Sequence, residues 1–460
     1  MIFSSITFIY YFLPLVFLIY FFVPFRYKNM VLLFFNLLFY FLGEPRYLIV
    51  LVLSCILNYI FSILISKKRK YAKTFLVLAC IYNIGQLIYF KYMDFFLQNI
   101  NSLFSVHIPL LRIIMPIGIS FFTFQALSYV ADVYRGKQDV AKNLWTFMTY
   151  ISLFPQLIAG PIVRYQDIEK EFEERTHSFD NTYLGIKRFV IGLSKKVLLA
   201  NTLGELSKLL VTETVLASWL KPICFTLQIY FDFSGYSDMA IGLGLIMGFH
   251  FLENFNYPFI AKSITDFWRR WHISLSSWFR DYVYIPLGGN RVSKKKWICN
   301  IMVVWFLTGF WHGASWNFIL WGLYFGILLL IEKLWLGKYL EKTKILKYVY
   351  TLFFVIISFL IFNSNSILDI LIELKNMFFF SSIPLTDNVT NYYFRSYFIL
   401  ILISIIASTP LWKSIISKIN NTKWKNVISV LEPLVFLGLL ILCTSFLIDE
   451  SFNPFLYFRF

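Results

Sequence analysis

Two histidines lie among tryptophans in the stretch from Asp266 to Gly326, which holds eight of the thirteen tryptophans in this 460-residue chain. A neutral imidazole can take a proton from a hydroxyl near neutral pH, so His272 and His312 have the right type for general-base chemistry. An ionisable group in a run apolar enough to enter lipid is unfavourable unless it is paired or used. The opposite interpretation, a histidine that only satisfies a hydrogen bond, stays open for both.

His312 is predicted to lie deep in the membrane. A helix that enters at Trp297 reaches His312 15 residues later, which is about 22 Å into a hydrocarbon core about 30 Å thick. Gly309 and Gly313 are expected to leave room for the close approach of a backbone or a ligand. The neighbouring side chains predicted to contact substrate are Trp311, Trp316 and Asn317.

The segment from Phe267 to Tyr282 has the spacing of one amphipathic helix, which we expect at the cytoplasmic interface or packed into the floor of the helix bundle. At about 100° per residue, His272 falls at the edge of its apolar face. Charged residues occupy the rest of the helix and predict a cationic surface that attracts anionic groups. The candidate binding residues on this surface are Arg269, Arg270, Arg280 and Asp281.

Asp232 and Asp238 stand in the otherwise apolar segment QIYFDFSGYSDMAIG. Two carboxylates in such a run need ionic partners or a water-filled cavity. They could line a polar funnel that binds substrate. Alternatively, they neutralise Lys195, Lys196 or an arginine, and the sequence does not decide between the two.

The composition predicts an all-α polytopic membrane protein. Hydrophobic residues make up 58% of the chain and charged residues 15%, with a mean hydropathy of +0.67, whereas soluble domains have about 25% charged residues. The net charge of +17 comes from basic clusters between apolar runs, which orient helices and contact anionic lipid rather than nucleic acid. The five cysteines have no paired spacing, so neither a disulfide framework nor a metal site is expected.

The apolar runs and basic loops predict about twelve crossings with both termini outside. The loop Lys67–Lys73 is expected in the cytoplasm and the loop Asn363–Arg395 outside. Prolines and glycines in Leu144–Val163 favour a broken, re-entrant segment. Trp297–Leu336 is predicted to form a helical hairpin, and Leu216–Phe251 a span interrupted at FDFSGYSD.

Five motifs follow one another between residues 120 and 322: SFFTFQALSYVADVYRG, FPQLIAGPIVR, DFSGYSDMAIG, FWRRWHISLSSWFRDYVYIPLGGNR and FWHGASWNFILWG. Together they resemble the membrane-bound O-acyltransferase family, and within it the bacterial branch similar to alginate O-acetyltransferases. The resemblance implies a ring of about 11–12 tilted transmembrane helices with re-entrant and interfacial helices. It also implies a single integral-membrane domain over residues 1–460, with its motif-bearing core at 115–335. The C-terminal third, from about Gly337, carries no motif that matches.

By this resemblance, His312 is the essential histidine and His272 the second functional position. The implied activity moves an acyl group, with acetyl favoured, from a cytoplasmic thioester across the bacterial cell membrane for O-acetylation of an extracellular or cell-wall polysaccharide. The donor would be acetyl-CoA or an acyl carrier protein, with no bound cofactor and no metal. The expected partners are an extracytoplasmic SGNH-type acetyltransferase or a membrane-anchored acceptor, and the bilayer itself.

Two other functions stay open at this point. Within the family, the chain could transfer D-alanine from a carrier protein to teichoic acid. From a different class, it could be a transporter or flippase without chemistry of its own. The missing internal repeat and the histidine–tryptophan pattern argue against the transporter.

Overall fold

A computed structural model describes residues 2–158, 160–378, 381–419, 422 and 424–449. Over these residues the regular structure is helical throughout and includes no strand, which confirms the predicted all-α class. Six helical stretches in the described part are long and apolar enough to cross a membrane. The count of about twelve crossings and the sidedness of the loops stay predictions.

The chain divides into two compact units, and the first comprises Met1–Phe189 and Met239–Leu252. The helices that begin in its first segment are α1 (Leu13–Phe22), α2 (Phe25–Gly43), α3 (Leu48–Lys67), α4 (Ala72–Leu87), α5 (Met93–Phe104), α6 (Ile119–Arg135), α7 (Leu144–Ser152), α8 (Phe154–Leu157), α9 (Tyr165–Ile168) and α10 (Phe179–Ser194).

Buried amides hold parts of this first unit together. Asn58 on α3 and Asn83 on α4 exchange hydrogen bonds of 3.1 and 2.7 Å, a type of contact that stabilises helix pairs in lipid. The Asn36 side chain accepts the backbone N–H of Phe154 at 3.0 Å, where the chain bends between α7 and α8 at Leu153. The predicted break in the segment 144–163 is therefore confirmed.

The second unit comprises Val190–Asp238 and Glu253–Phe460. The helices that begin in it are α11 (Thr202–Leu209), α12 (Val215–Ile246), α13 (Ile264–Trp268), α14 (Ile273–Phe279), α15 (Lys294–His312), α16 (Trp316–Ile331), α17 (Gly337–Glu341), α18 (Leu346–Asn363), α19 (Ile367–Met377), α20 (Asn388–Ala407), α21 (Leu411–Ile419) and α22 (Lys425–Asp449). Short π-helical turns follow α14 at Arg280–Tyr284 and α16 at Glu332–Leu336.

The predicted hairpin is confirmed as α15 and α16, and its two helices touch backbone to backbone. A Cβ on Gly309 would lie 2.3 Å from the Phe318 carbonyl oxygen, and one on Gly322 equally close to the Trp305 carbonyl oxygen. A Cβ on Gly313 would meet the ring of Phe318. Of the two expected uses of these glycines, the close approach of a backbone is confirmed at Gly309, whereas helix packing fills the space that a ligand would need at Gly309 and Gly313.

The predicted continuous helix over 267–282 is also wrong. α13 ends at Trp268, and α14 starts only after His272, which has a left-handed backbone with φ 45°. A buried carboxylate fixes the start of α13, since Glu332 accepts the backbone N–H groups of Ile264 and Thr265 at 2.5 and 2.9 Å. An acceptor at this position satisfies donors that a helix leaves open at its N-terminus.

The segment FDFSGYSD does not interrupt its helix, contrary to expectation, because α12 continues through it. Within the second unit, a Cβ on Gly235 would lie 2.6 Å from the carbonyl oxygen of Gly192. This close approach lets the aspartates of the segment pair with lysines of the neighbouring helical turn. The helix α12 can therefore carry these polar residues and remain continuous.

Candidate active site

His312 is the last residue of α15 and lies where the hairpin turns, as expected. Its side chain is 3% exposed. The imidazole packs against Trp321 at 4.9 Å, Trp311 at 5.0 Å and Phe362 at 5.5 Å between ring centroids. α15, α16 and α18 thus enclose His312 in an aromatic shell.

His272 is fully buried, because the break before α14 turns it into the core. Its Nδ1 lies 3.2 Å from the Asn254 side-chain oxygen. Its ring contacts Phe233 at 4.7 Å between centroids. Among the described residues its hydrogen-bond partners are Asn254 and Ser274, and both are uncharged.

The two histidines belong to one cluster, since the Trp311 ring contacts both. Its centroid lies 6.1 Å from that of His272 and 5.0 Å from that of His312. Water is largely excluded here, so electrostatic interactions with a reacting group are stronger than they would be in solution.

The three other candidates near His312 take different positions. Trp311 is buried in the cluster, whereas Trp316 is 55% exposed, so these rings do not share one buried wall. Asn317 is buried and donates a hydrogen bond to the Phe362 carbonyl oxygen at 3.0 Å. It thereby holds the helix whose Phe362 ring packs on His312, and substrate contact by these residues stays a prediction.

Asp232 and Asp238 both form ion pairs with lysines. Asp232 lies 2.7 Å from the ammonium of Lys196, and both side chains are almost fully buried. Asp238 lies 2.6 Å from the ammonium of Lys195. These contacts match the neutralising alternative, and a direct role in binding stays a prediction. Asp232 is next to Phe233, so its ion pair anchors the stretch of α12 that packs on His272.

The four candidates on the cationic surface do not share one helix face, because the helix is broken. Arg269 is exposed in the break, and Arg270 pairs with Asp266 at 3.0 Å. Arg280 forms a two-point ion pair with Asp281, with distances of 2.7 and 3.2 Å. Of these residues, Arg280 lines the neighbouring cavity.

An open cavity of about 220 Å³ lies between α14, α15 and the turns that follow α14 and α16. Its wall is mainly apolar, with the two cations Arg280 and Lys333 on it. It comes close to His312 in two ways. Thr308, which lies one helical turn before His312, lines the cavity. Trp268 also lines it, and its ring centroid lies 5.7 Å from that of Trp321, which contacts His312. The full lining is Trp268, Leu275, Ser276, Phe279, Arg280, Tyr284, Ile301, Val304, Trp305, Thr308, Leu329 and Lys333.

Sequence reasoning missed several residues that build this site. Asn254 stands in an irregular loop, and Glu332 and Lys333 lie at the end of an apolar run, so no periodicity marks them. Phe362 is one of 53 phenylalanines in the chain. A polar residue near the end of an apolar helix, as at Glu332, was the only available signal. No group of three potential metal-ligating side chains occurs within the described ranges.

Comparisons with known proteins show the family to which the chain belongs. Residues 135–371, just over half of the chain, match the membrane-bound O-acyltransferase family model. The chain is 41% identical to a probable alginate O-acetylase of Pseudomonas aeruginosa over 80% of its length and 73% of that protein. It is 36% identical to a peptidoglycan O-acetyltransferase of Helicobacter pylori, with 82% and 80% covered.

A teichoic acid D-alanyltransferase of Bacillus subtilis is 35% identical over 56% of the chain and 71% of that protein. The matched region contains both histidines, the broken segment between α13 and α14, and the hairpin that carries His312. Sequence and architecture therefore agree, and the chain belongs to the membrane-bound O-acyltransferase family.

Proposed function

We propose that this membrane O-acyltransferase takes an acetyl group from a cytoplasmic thioester and transfers it, with His312 as general base, to a hydroxyl acceptor on the path to an extracytoplasmic polysaccharide. The observation that carries the proposal is the buried pair of His272 and His312 around Trp311. Two imidazoles in an apolar shell are unfavourable unless they are used.

In the proposed reaction, the acceptor hydroxyl attacks the thioester carbonyl carbon while His312 takes the hydroxyl proton. The tetrahedral intermediate collapses, the carbon–sulfur bond breaks, and the proton passes from His312 to the leaving thiolate. The products are an O-acetyl ester and a free thiol. The indole N–H groups of Trp268 and Trp321 are buried without hydrogen-bond partners among the described residues, so they are candidate donors to the developing oxyanion.

The cavity that Thr308 lines, one helical turn from His312, suits the donor. An apolar wall fits an extended thioester arm, and the charges of Arg280 and Lys333 at its edge suit phosphate groups, for which charge-assisted hydrogen bonds are strong. Acetyl-CoA and an acetylated carrier protein share this chemistry. Both would reach the cavity from the cytoplasm, and we place the protein in the bacterial cell membrane.

The acceptor is proposed from the relatives. The alginate and peptidoglycan O-acetylating relatives align with at least 80% of the chain, whereas the D-alanyl-transferring relative aligns with 56%. This difference favours acetyl transfer to a polysaccharide, by way of an SGNH-type or membrane-anchored partner outside the membrane. D-alanyl transfer to teichoic acid is the second candidate.

The test uses the purified protein in lipid nanodiscs with a polysaccharide hydroxyl acceptor and with acetyl-CoA, an acetylated carrier protein or a D-alanylated carrier protein as donor. We expect time-dependent thiol release from an acetyl donor and about 10²–10⁴-fold less in His312→Gln, because glutamine keeps a hydrogen bond but cannot take and return a proton. His107→Gln, a change at an exposed histidine of the first unit, is the matched control.

Three results would overturn this proposal. Near wild-type turnover in His312→Gln would show that His312 is not the general base. Release from the D-alanyl donor alone replaces acetyl transfer with the second candidate, and absence of thiol release from every donor leaves the transporter alternative.

A further inference from the structure

Asn254 sits at the centre of a buried hydrogen-bond network next to His272. It is 0% exposed and lies in the loop between α12 and α13. Its side-chain oxygen accepts the backbone N–H of Ser274 at 3.2 Å and the Ser274 hydroxyl at 2.9 Å. Its side-chain nitrogen donates to the Ser237 hydroxyl at 3.3 Å. Its backbone carbonyl accepts the N–H of Ile273 at 3.0 Å, so the loop and the start of α14 are joined at two points.

These contacts fix the orientation of the Asn254 amide. A backbone N–H can only donate, so the atom that meets the N–H of Ser274 must be the amide oxygen. The same oxygen lies 3.2 Å from Nδ1 of His272. Two lone pairs would repel at this distance, so Nδ1 must carry a proton and donate it to Asn254.

The tautomer of His272 follows from this contact. A neutral imidazole carries one proton, and when that proton is on Nδ1 the other nitrogen, Nε2, is an acceptor. Nε2 of His272 is buried and has no hydrogen-bond partner among the described residues. The His272 ring packs against Phe233 and Trp311, and the Trp311 ring also contacts His312. A buried acceptor without a partner is unfavourable and calls for a functional explanation.

The geometry points to Asn254 as a positioning residue that holds His272 with its proton on Nδ1, so that Nε2 is a hydrogen-bond acceptor for the bound substrates. The inference rests on the proposed function. The attacking hydroxyl has one proton, which goes to His312, so Nε2 accepts from a different donor group of the substrates and orients them. A neutral His272 held in this way cannot donate a hydrogen bond to the thioester carbonyl, so the acyl oxygen must find its donors elsewhere.

The direct test is 15N NMR of histidine-labelled protein in nanodiscs, with the His272 signals identified by their loss in His272→Gln. We expect a protonated Nδ1 and an unprotonated Nε2 in the wild type. A proton on Nε2 overturns the inference. This readout needs no turnover, so it is independent of the proposed acetyl transfer.

Variants of Asn254 supply the second arm. Asn254→Leu removes the hydrogen-bond acceptor and keeps a similar side-chain volume. We expect that His272 then loses its preference for a proton on Nδ1. We also expect kcat to fall by about 10- to 100-fold, the range typical when an orienting partner of a functional histidine is removed. KM for the donor should not change. Asn300→Leu is the matched control, because Asn300 is also buried but holds the carbonyls of Leu287 and Gly289. It should not alter the His272 signals.

Asn254→Asp keeps an oxygen beside Nδ1 and covers the case in which the leucine variant does not fold. A carboxylate stabilises the imidazolium, so it raises the pH at which His272 takes up a second proton. The acidic limb of the pH–rate profile should therefore move to higher pH, which a purely structural role would not produce. An unmoved profile in a folded, active protein, or an unchanged tautomer and kcat in Asn254→Leu, overturns the inference.

Discussion

The buried ion pair between Lys196 and Asp232 makes the sharpest stability prediction. The two charges lie 2.7 Å apart, and the side chains are 2% and 1% exposed. Lys196→Met removes one charge and leaves the Asp232 carboxylate in a site where water cannot solvate it. Breaking a buried pair in this way typically destabilises a protein by about 3–5 kcal/mol.

Replacing both partners gives the opposite expectation. In Lys196→Met combined with Asp232→Leu, no buried charge remains, and such exchanges are often neutral or stabilising by about 1–4 kcal/mol. The double variant should therefore recover most or all of the stability lost in the single variant. The coupling arises because the two residues share one interaction and are not independent sites.

Two measurements separate the structural and functional interpretations of Asp232. The free energy of unfolding in mixed micelles reports the ion pair, and thiol release per folded molecule reports the site. A purely structural Asp232 predicts a stable and active double variant. A stable but inactive double variant would show that the carboxylate also serves the reaction. Wild-type stability in Lys196→Met would refute the reasoning about the buried charge.

Two further variants test the donor cavity and the hairpin. Arg280→Ala should raise KM for the thioester donor, because it removes a charge-assisted contact typically worth about 1.5–3 kcal/mol. The loss of donor binding should be smaller than this, because Arg280 already forms an ion pair with Asp281. An unchanged KM in a folded protein would leave Arg280 without a role in donor binding. Gly309→Ala should destabilise the protein by about 1–3 kcal/mol, because the added methyl group would overlap the Phe318 carbonyl oxygen. Gly438→Ala, where nothing lies within 4 Å, is the control in an unfolding measurement, and equal stability of the two variants would contradict the packing argument.

The hairpin and the place of His312 could be predicted because they depend on local information. Apolar runs of spanning length are separated by a short turn, and His312 ends the first of them. The depth of His312 in the membrane rests on the helical rise and the thickness of the bilayer and stays a prediction. What the sequence did not show is that Gly309 belongs to the helix contact, since its partner Phe318 lies beyond the turn.

The break before α14 could not be predicted, because distant residues produce it. The spacing of residues 267–282 satisfies a continuous helix, so local periodicity favours the wrong structure. Asn254 holds the start of α14 from 18 residues away, and Glu332 holds the start of α13 from 68 residues away. These two polar contacts replace the backbone hydrogen bonds that a continuous helix would make, and they place His272 in the core.

The polar residues around the cluster narrow the possible destinations of a proton taken from a hydroxyl. The carboxylates of Asp232 and Asp238 are each held in an ion pair with a lysine ammonium, so each already has an ionic partner. Asn254 and Ser274 are not bases at neutral pH. His272, held by Asn254 through Nδ1, orients the substrates as a hydrogen-bond acceptor. In the proposed reaction His312, in an aromatic shell at the turn of the hairpin, takes up the proton and releases it again to the leaving thiolate.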